Sequence, residues 1–126
     1  MLFRSAGKTL DTSFIDTGSN GLYFDSSTIP ACAGTAASGF YCPASLTNLS
    51  ATMVGANGVT VPVAFAISSA IASFSSGTRA AIPTLSGSIG DARTFDWGLP
   101  FFYGRRVFSG IEGQPSPLGT GPFYAF

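Results

Sequence analysis

Val59, Val61, Val63, Phe65 and Ile67 take every second position of one stretch. A period of two puts all five on one face of a β-strand, where a helical period would scatter them. Upstream, Ala51-Thr52-Met53-Val54 is another apolar run, and Gly55-Ala56-Asn57-Gly58 between the two carries the Asn-Gly signal of a hairpin. The pattern predicts two antiparallel strands joined there. Pro62 lacks an N–H, which assigns its strand to a sheet edge or to a position where no neighbour needs that donor.

Shorter runs follow the same logic. Ser13-Phe14-Ile15, Leu22-Tyr23-Phe24, Ala80-Ala81-Ile82, Thr94-Phe95 and Val107 to Ile111 each read as a short strand bounded by turn residues. Ser68 to Ser76 carries Ala70, Ile71 and Phe74 at loosely helical spacing and reads as a loop or one helical turn. Gln114 to Pro122 is dense in breakers and reads as a surface loop. The apolar end, Phe123-Tyr124-Ala125-Phe126, reads as docked in its own sheet or against a partner. With 16 glycines and 8 prolines the chain is punctuated too often for long helices. The expectation is an all-β domain with at most one or two short helices and no internal repeat.

Composition narrows what such a domain can do. The chain has 126 residues, one domain (1–126) by length, and folding at that size buries roughly 65 to 70% of the unfolded surface. Charged residues are only 10%, against roughly 25% in soluble domains. Six basic residues balance six acidic ones, so no summed field recruits nucleic acid or an anionic membrane. Arg105-Arg106, the one adjacent basic pair, reads as a solvated strand end. The longest apolar stretch, Val59 to Phe74, is broken by Pro62 and serines and is too short for a membrane span. It reads as soluble core.

Histidine is absent, which rules out Ser-His-Asp and Cys-His mechanisms built from this chain alone and removes the commonest nitrogen ligand of zinc. Two cysteines are too few for a structural zinc site. Any catalysis must then come from carboxylates or from a cofactor, and no metal site and no cofactor is expected. Cys32 and Cys42 bracket a loop of small residues with Gly34 and Gly39, flexible enough to close a disulfide. The pair reads as a bridge formed in an oxidising compartment, the periplasm, cell envelope or exterior, with two free thiols in a reducing compartment as the alternative. Met1 to Arg4 is not a signal peptide, because no apolar core follows. The chain starts abruptly before its first acid-bearing strand, so it reads as a domain truncated at the N-terminus.

Six acids are available. Asp11, Asp25, Asp91 and Glu112 stand among turn residues and read as solvated. Asp16 and Asp96 differ: Phe14-Ile15 precede one, while Phe95 and Trp97-Gly98 surround the other, and desolvation by such neighbours raises a carboxyl pKa. Gly18 and Gly21 flank Ser19-Asn20, so the backbone after Asp16 is expected to make a tight positive-φ turn that holds the carboxylate at a strand end.

Phe14-Ile15-Asp16-Thr17-Gly18-Ser19-Asn20-Gly21-Leu22-Tyr23-Phe24 resembles the active-site segment of pepsin-like and retropepsin-like aspartic peptidases, an apolar pair followed by Asp-Thr-Gly-Ser and then a further strand. Phe95-Asp96-Trp97-Gly98-Leu99-Pro100-Phe101-Phe102 resembles the downstream segment that passes beneath the aspartate loop in each lobe of those enzymes, although Asp96 stands where they carry an apolar residue. The resemblance covers roughly residues 10 to 112. Trp97 to Arg105 and the Gly-Thr-Gly-Pro near the end also look like an uncharacterised bacterial family of unknown function assigned to the same clan.

The resemblance implies a single acid-protease-like lobe acting on an extended peptide or protein substrate. It makes Asp16 the catalytic residue and Thr17, Gly18 and Ser19 its support, with Thr17 locking two loops together, Gly18 giving the backbone turn and Ser19 bonding the aspartate. Tyr23, Asp96, Trp97 and Gly98 are cleft candidates. The family's reaction needs two aspartates sharing a proton, and this chain has one such motif. Catalysis would then require a homodimer or a second lobe; a direct pairing of Asp16 with Asp96 is a weaker route. The Gly55 to Gly58 hairpin lies at a flap-like distance but has no tyrosine, and so reads equally as a core hairpin. Two other functions fit the same residues: a non-catalytic secreted domain that grips an extended peptide by strand addition, and a structural domain whose Asp16 bonds only its own loop.

Overall fold

The computed structural model describes the backbone of residues 2–5 and the whole of residues 8–77 and 81–126. Twelve short strands and two short helices run β1 (Leu2–Ser5), β2 (Lys8–Leu10), β3 (Phe14–Ile15), β4 (Leu22–Phe24), β5 (Thr47–Val54), β6 (Thr60–Ile67), α1 (Ala70–Ser75), β7 (Ser86–Gly87), β8 (Phe95–Trp97), α2 (Leu99–Phe102), β9 (Phe108–Gly110), β10 (Pro115–Ser116), β11 (Gly119–Thr120) and β12 (Phe123–Ala125). The chain is all-β, with two short helices among the described residues, as its glycine and proline spacing predicts.

The hairpin read from alternation is present: β5 and β6 pair antiparallel from Thr47 opposite Ile67 to Val54 opposite Thr60. The strand starts at Thr60, one residue later than the alternation begins, because Gly55 to Val59 close the turn. Gly55 N–H donates to the Val59 carbonyl at 2.8 Å, Asn57 Oδ1 accepts the Val59 N–H at 3.1 Å, and Gly58 takes φ 82°. Val63 and Ile67 are buried, Phe65 half-buried, and Val59 and Val61 exposed, so the apolar face leaves the core toward the turn. The sheet order is β2-β1-β5-β6, which makes β6 an edge strand, the position Pro62 demands.

A second four-stranded sheet has the order β3-β8-β4-β7. β8 lies between β3 and β4, parallel to β3 (Phe14 opposite Asp96) and antiparallel to β4 (Tyr23 opposite Asp96). One core joins the two sheets. Leu10, Met53, Ala51 and Val63 from the first meet Leu22, Phe24, Phe95 and Trp97 from the second, with Tyr41 and Phe101 completing it. Phe95 and Trp97 are stacked with ring centroids 4.0 Å apart, and Phe65 stands edge-on to Trp97 at 5.5 Å. These geometries add to area burial, roughly 0.5–1.5 kcal/mol per pair.

Several local expectations are corrected. Ala81 and Ile82 form no strand, and Ala80 lies outside the described residues. The strand comes later, at Ser86–Gly87, paired with β4, and a Cβ on Gly87 would collide with the Gly39 carbonyl oxygen and press on Phe40 Cα at 3.2 Å. Only a bare backbone fits there. Gln114 to Pro122 lies at the surface, as expected, but it is built as a small hairpin, β10 with β11; Ser116 Oγ accepts the Leu118 N–H at 3.2 Å and donates to the Gly119 carbonyl at 2.8 Å. Arg105 is not a solvated strand end. Its guanidinium donates to the Phe101 carbonyl at 2.6 Å and lies 5.0 Å from the Phe101 ring centroid, the favourable place for a cation at a helix C-terminus. The apolar end docks as expected: β12 pairs with β9, and Phe126 stands edge-on to Phe101 at 5.0 Å.

Candidate functional site

Asp16 is the first residue after β3, and its N–H donates to the Trp97 carbonyl at 3.0 Å. The parallel pairing of β3 with β8 therefore continues one bond past the strand and fixes where the carboxylate begins. The next three residues turn back on it. Gly18 N–H donates to Asp16 Oδ1 at 2.7 Å, Ser19 N–H reaches the Asp16 carbonyl at 3.4 Å, and Ser19 Oγ lies 3.2 Å from Asp16 Oδ2.

Below this loop β8 and the turn after it pass at backbone contact. Leu99 N–H donates to the Ser19 carbonyl at 2.8 Å, and a Cβ on Gly98 would collide with the carbonyl oxygens of Gly21 and Ser19. Glycine is required here for closeness, not for its dihedral freedom. The same holds in the loop itself, where the positive-φ turn expected at Gly18 and Gly21 does not form. Neither residue is among the glycines of positive φ; a Cβ would stand 3.0 Å from Asp16 Oδ1 at Gly18 and 3.1 Å from the Leu85 carbonyl oxygen at Gly21. At Gly18 a side chain would crowd the acid itself, and at Gly21 it would press on the Leu85 carbonyl that accepts the Leu22 N–H.

Ser19 also faces downward. Its Oγ lies 2.5 Å from Asp96 Oδ2, so one hydroxyl stands between two carboxyl groups, and no direct hydrogen bond joins Asp16 to Asp96. Asp96 is only 5% exposed, and its Oδ1 is buried without a hydrogen-bond partner. Burial pushes the Asp96 carboxyl up; the Ser19 hydrogen bond pulls it down less strongly, and the charge of Asp16 adds to the rise. Tyr23, opposite Asp96 across the sheet, is raised first by burial and then by the Asp96 charge, and its hydroxyl donates to Asn20 Oδ1.

A family model described as protein of unknown function (DUF3443) matches residues 2–126. The chain belongs to this family. No curated protein and no solved structure matches it. The DUF3443 match spans both the Asp16 loop and β8, so the whole arrangement lies within the family region.

Within this DUF3443 chain the remaining candidates fall into two groups. Thr17 and Gly18 are exposed at the loop tip, and Asp16, Ser19 and Tyr23 are half-buried. Asp96, Trp97 and Gly98 are buried and underlie the loop instead of facing an open cleft. Cys32 and Cys42 form a disulfide, distant in role from the carboxyl groups. It closes the segment in which Tyr41 O–H donates to the Phe24 carbonyl at 2.5 Å and accepts the Ser26 N–H at 2.9 Å, pinning the exit of β4.

Ser13, which carries no functional signal in the sequence, holds β8 in place: buried, it accepts the Phe95 N–H at 2.8 Å and donates to the Leu10 carbonyl at 3.3 Å. A lone serine opening an apolar run is the only local sign of it. Asp25 and Asp11 also have more definite roles than solvated turn residues. Asp25 Oδ1 accepts from Ser88 Oγ and from the N–H groups of Ile89 and Gly90, which holds its carboxyl below the usual range, with Ser88 as the largest cause. Asp11 pairs with Arg93 across the β3–β8 entry.

Two grooves flank the C-terminal ribbon. One, of about 500 Å³, separates the Gly55–Val59 turn from β9 and β12; the other, of about 650 Å³, runs along β6 beside Arg105, Arg106 and Phe126. No residue of the Asp16 loop lines either. The β5–β6 turn thus faces the C-terminal ribbon across the first groove. Among the described residues, no helix is long and apolar enough to cross a membrane and no cluster of acids, cysteines or histidines could hold a metal ion.

Proposed function

We propose that this chain supplies one half of an aspartic-type endopeptidase site, with Asp16 as its acid–base residue and the second aspartate coming from another copy of the chain or from a second lobe. The observation that carries the reading is the placement of Asp16: it ends a short strand, its carboxylate is oriented by Gly18 N–H and Ser19 Oγ, and the downstream strand β8 passes directly beneath, between the two strands the loop connects. The same two segments carry the resemblance to pepsin-like and retropepsin-like peptidases, which supports the reading. With two such carboxyl groups facing each other and sharing one proton, the ionised one takes a proton from water as that water attacks the peptide carbonyl, and the protonated one gives its proton to the carbonyl oxygen. The disulfide fits an oxidising compartment, so the proposed site works in the periplasm, at the cell envelope or outside the cell.

One observation favours a non-catalytic alternative. Asp16 is already bonded by its own loop, and neither groove reaches it, which suits a secreted structural or peptide-binding domain. A peptide-library assay between about pH 3 and pH 7, where carboxyl dyads work, separates the two. It would use a verified dimer or the longer parent chain. Cleavage that disappears in Asp16→Asn supports the peptidase; absence of cleavage by wild type throughout that range sinks it.

A further inference from the structure

Asp96 occupies a position that strand alternation makes expensive. Phe95 and Trp97 on either side have no exposed surface and stack on one another, so the residue between them points to the opposite face, directly under the Asp16 loop. There its Oδ2 meets Ser19 Oγ and its Oδ1 meets no hydrogen-bond partner. No lysine or arginine pairs with it among the described residues. The titratable groups facing it are Asp16 from the loop after β3 and Tyr23 from β4. A buried carboxylate with one bare oxygen and a second acid nearby is a costly species, whereas a neutral carboxylic acid is tolerable.

Ser19 has one proton and two carboxyl neighbours, so it can donate to only one of them at a time. We propose that Asp96 is a positioning residue for Asp16: as a neutral acid it donates its proton to Ser19 Oγ, which leaves the Ser19 hydroxyl free to donate to Asp16 Oδ2. In that state the Asp16 carboxylate has two donors, Ser19 and Gly18. When Asp96 loses its proton to solvent, the Ser19 hydroxyl turns to the new carboxylate, and Asp16 keeps Gly18 alone beside a second negative charge. Asp96 then sets the hydrogen bonding of Asp16 through one rotatable O–H. The catalytic meaning of this relay rests on the peptidase reading, but its acid–base behaviour does not.

Carboxyl-carbon NMR titrations of the whole chain test it, on wild type, Asp96→Asn and Ser19→Ala. In wild type, Asp96 titrates above the ordinary aspartate value of about 3.9, and the Asp16 carboxyl resonance shows an inflection at the same pH, which reports the turn of the Ser19 hydroxyl. In Asp96→Asn the amide keeps a donor for Ser19, and that inflection vanishes. In Ser19→Ala, Asp96 still titrates but the Asp16 inflection loses most of its amplitude, keeping only the through-space response. The proposal is overturned if Asp96 in wild type titrates at or below 3.9, or if the Asp16 inflection has the same amplitude in Ser19→Ala. If a variant fails to fold, an Asp96 that titrates at or below about 3.9 in wild type still overturns the proposal. Coupled titration in a protein that cleaves nothing would sink the peptidase and leave the relay; cleavage without coupling would do the reverse.

Discussion

Gly98 and Ser19 meet through backbone alone: a Cβ on Gly98 would stand 2.5 Å from the Ser19 carbonyl oxygen, the same oxygen that accepts the Leu99 N–H at 2.8 Å. Neither wall can yield by rotating a side chain. Gly98→Ala is therefore expected to destabilise by the upper end of the overpacking range, about 3 kcal/mol, or to lift the Asp16 loop off β8. Urea unfolding gives the first outcome, and a shift of the Asp16 and Ser19 amide resonances the second. A variant as stable as wild type with unmoved resonances would contradict the contact.

Tyr41 ties the exit of β4 to the disulfide segment with one hydroxyl serving two backbone groups, Phe24 C=O and Ser26 N–H. Tyr41→Phe keeps the ring and removes both bonds. The expected loss is about 1–3 kcal/mol, the desolvation cost of leaving buried partners unmet. Denaturant midpoints of the two proteins measure it, and a change under about 0.5 kcal/mol, the size of an ordinary surface substitution, would show that water replaces the hydroxyl.

The Cys32–Cys42 bridge closes a separation of 10 residues. In the chain-entropy picture so short a loop contributes nearly 3 kcal/mol, chiefly by restricting the unfolded chain. Replacing both cysteines with serine should lower stability by about that amount, while thiol titration of the unreduced wild type should find no reactive groups.

The pH dependence of stability carries contributions of opposite sign, of which Asp25 and Asp96 are examples. Asp25, lowered by its three hydrogen bonds with Ser88 first, stabilises the fold above its unfolded value of about 3.9, and that stability is lost as pH falls through the lower folded value. Asp96, raised by burial first, has the other sign: the native state holds its proton more tightly than the unfolded chain, so stability falls as pH rises from about 3.9 through the higher folded value. Asp96→Asn should remove that fall. Its stability relative to wild type should rise with pH in a series of urea unfolding curves and then level off; a difference independent of pH would mean that Asp96 is not raised.

Much of the architecture was legible along the chain because it depends on neighbours two to five residues apart. The alternation from Val59 to Ile67 and the Asn57-Gly58 turn are local regularities, and a hairpin forms there with its second strand from Thr60; Ser68 to Ser76, which reads as a loop or one helical turn, holds the short helix Ala70–Ser75. Ser86–Gly87 is not legible along the chain because a two-residue strand has no period to read. Ala80 to Ile82 has the greater apolar content, but content alone does not decide who pairs with whom.

The sequence by itself determined that this is an all-β chain with one aspartate on a glycine-bounded loop and a cysteine pair near enough to bridge. Only the tertiary structure decided that Asp96 lies buried under that loop with Ser19 between it and Asp16. The reason is physical: strand alternation states that Asp96 faces away from Phe95 and Trp97, but which partner waits on that face depends on β8 inserting between β3 and β4, a pairing between residues some 80 positions apart that no local pattern specifies.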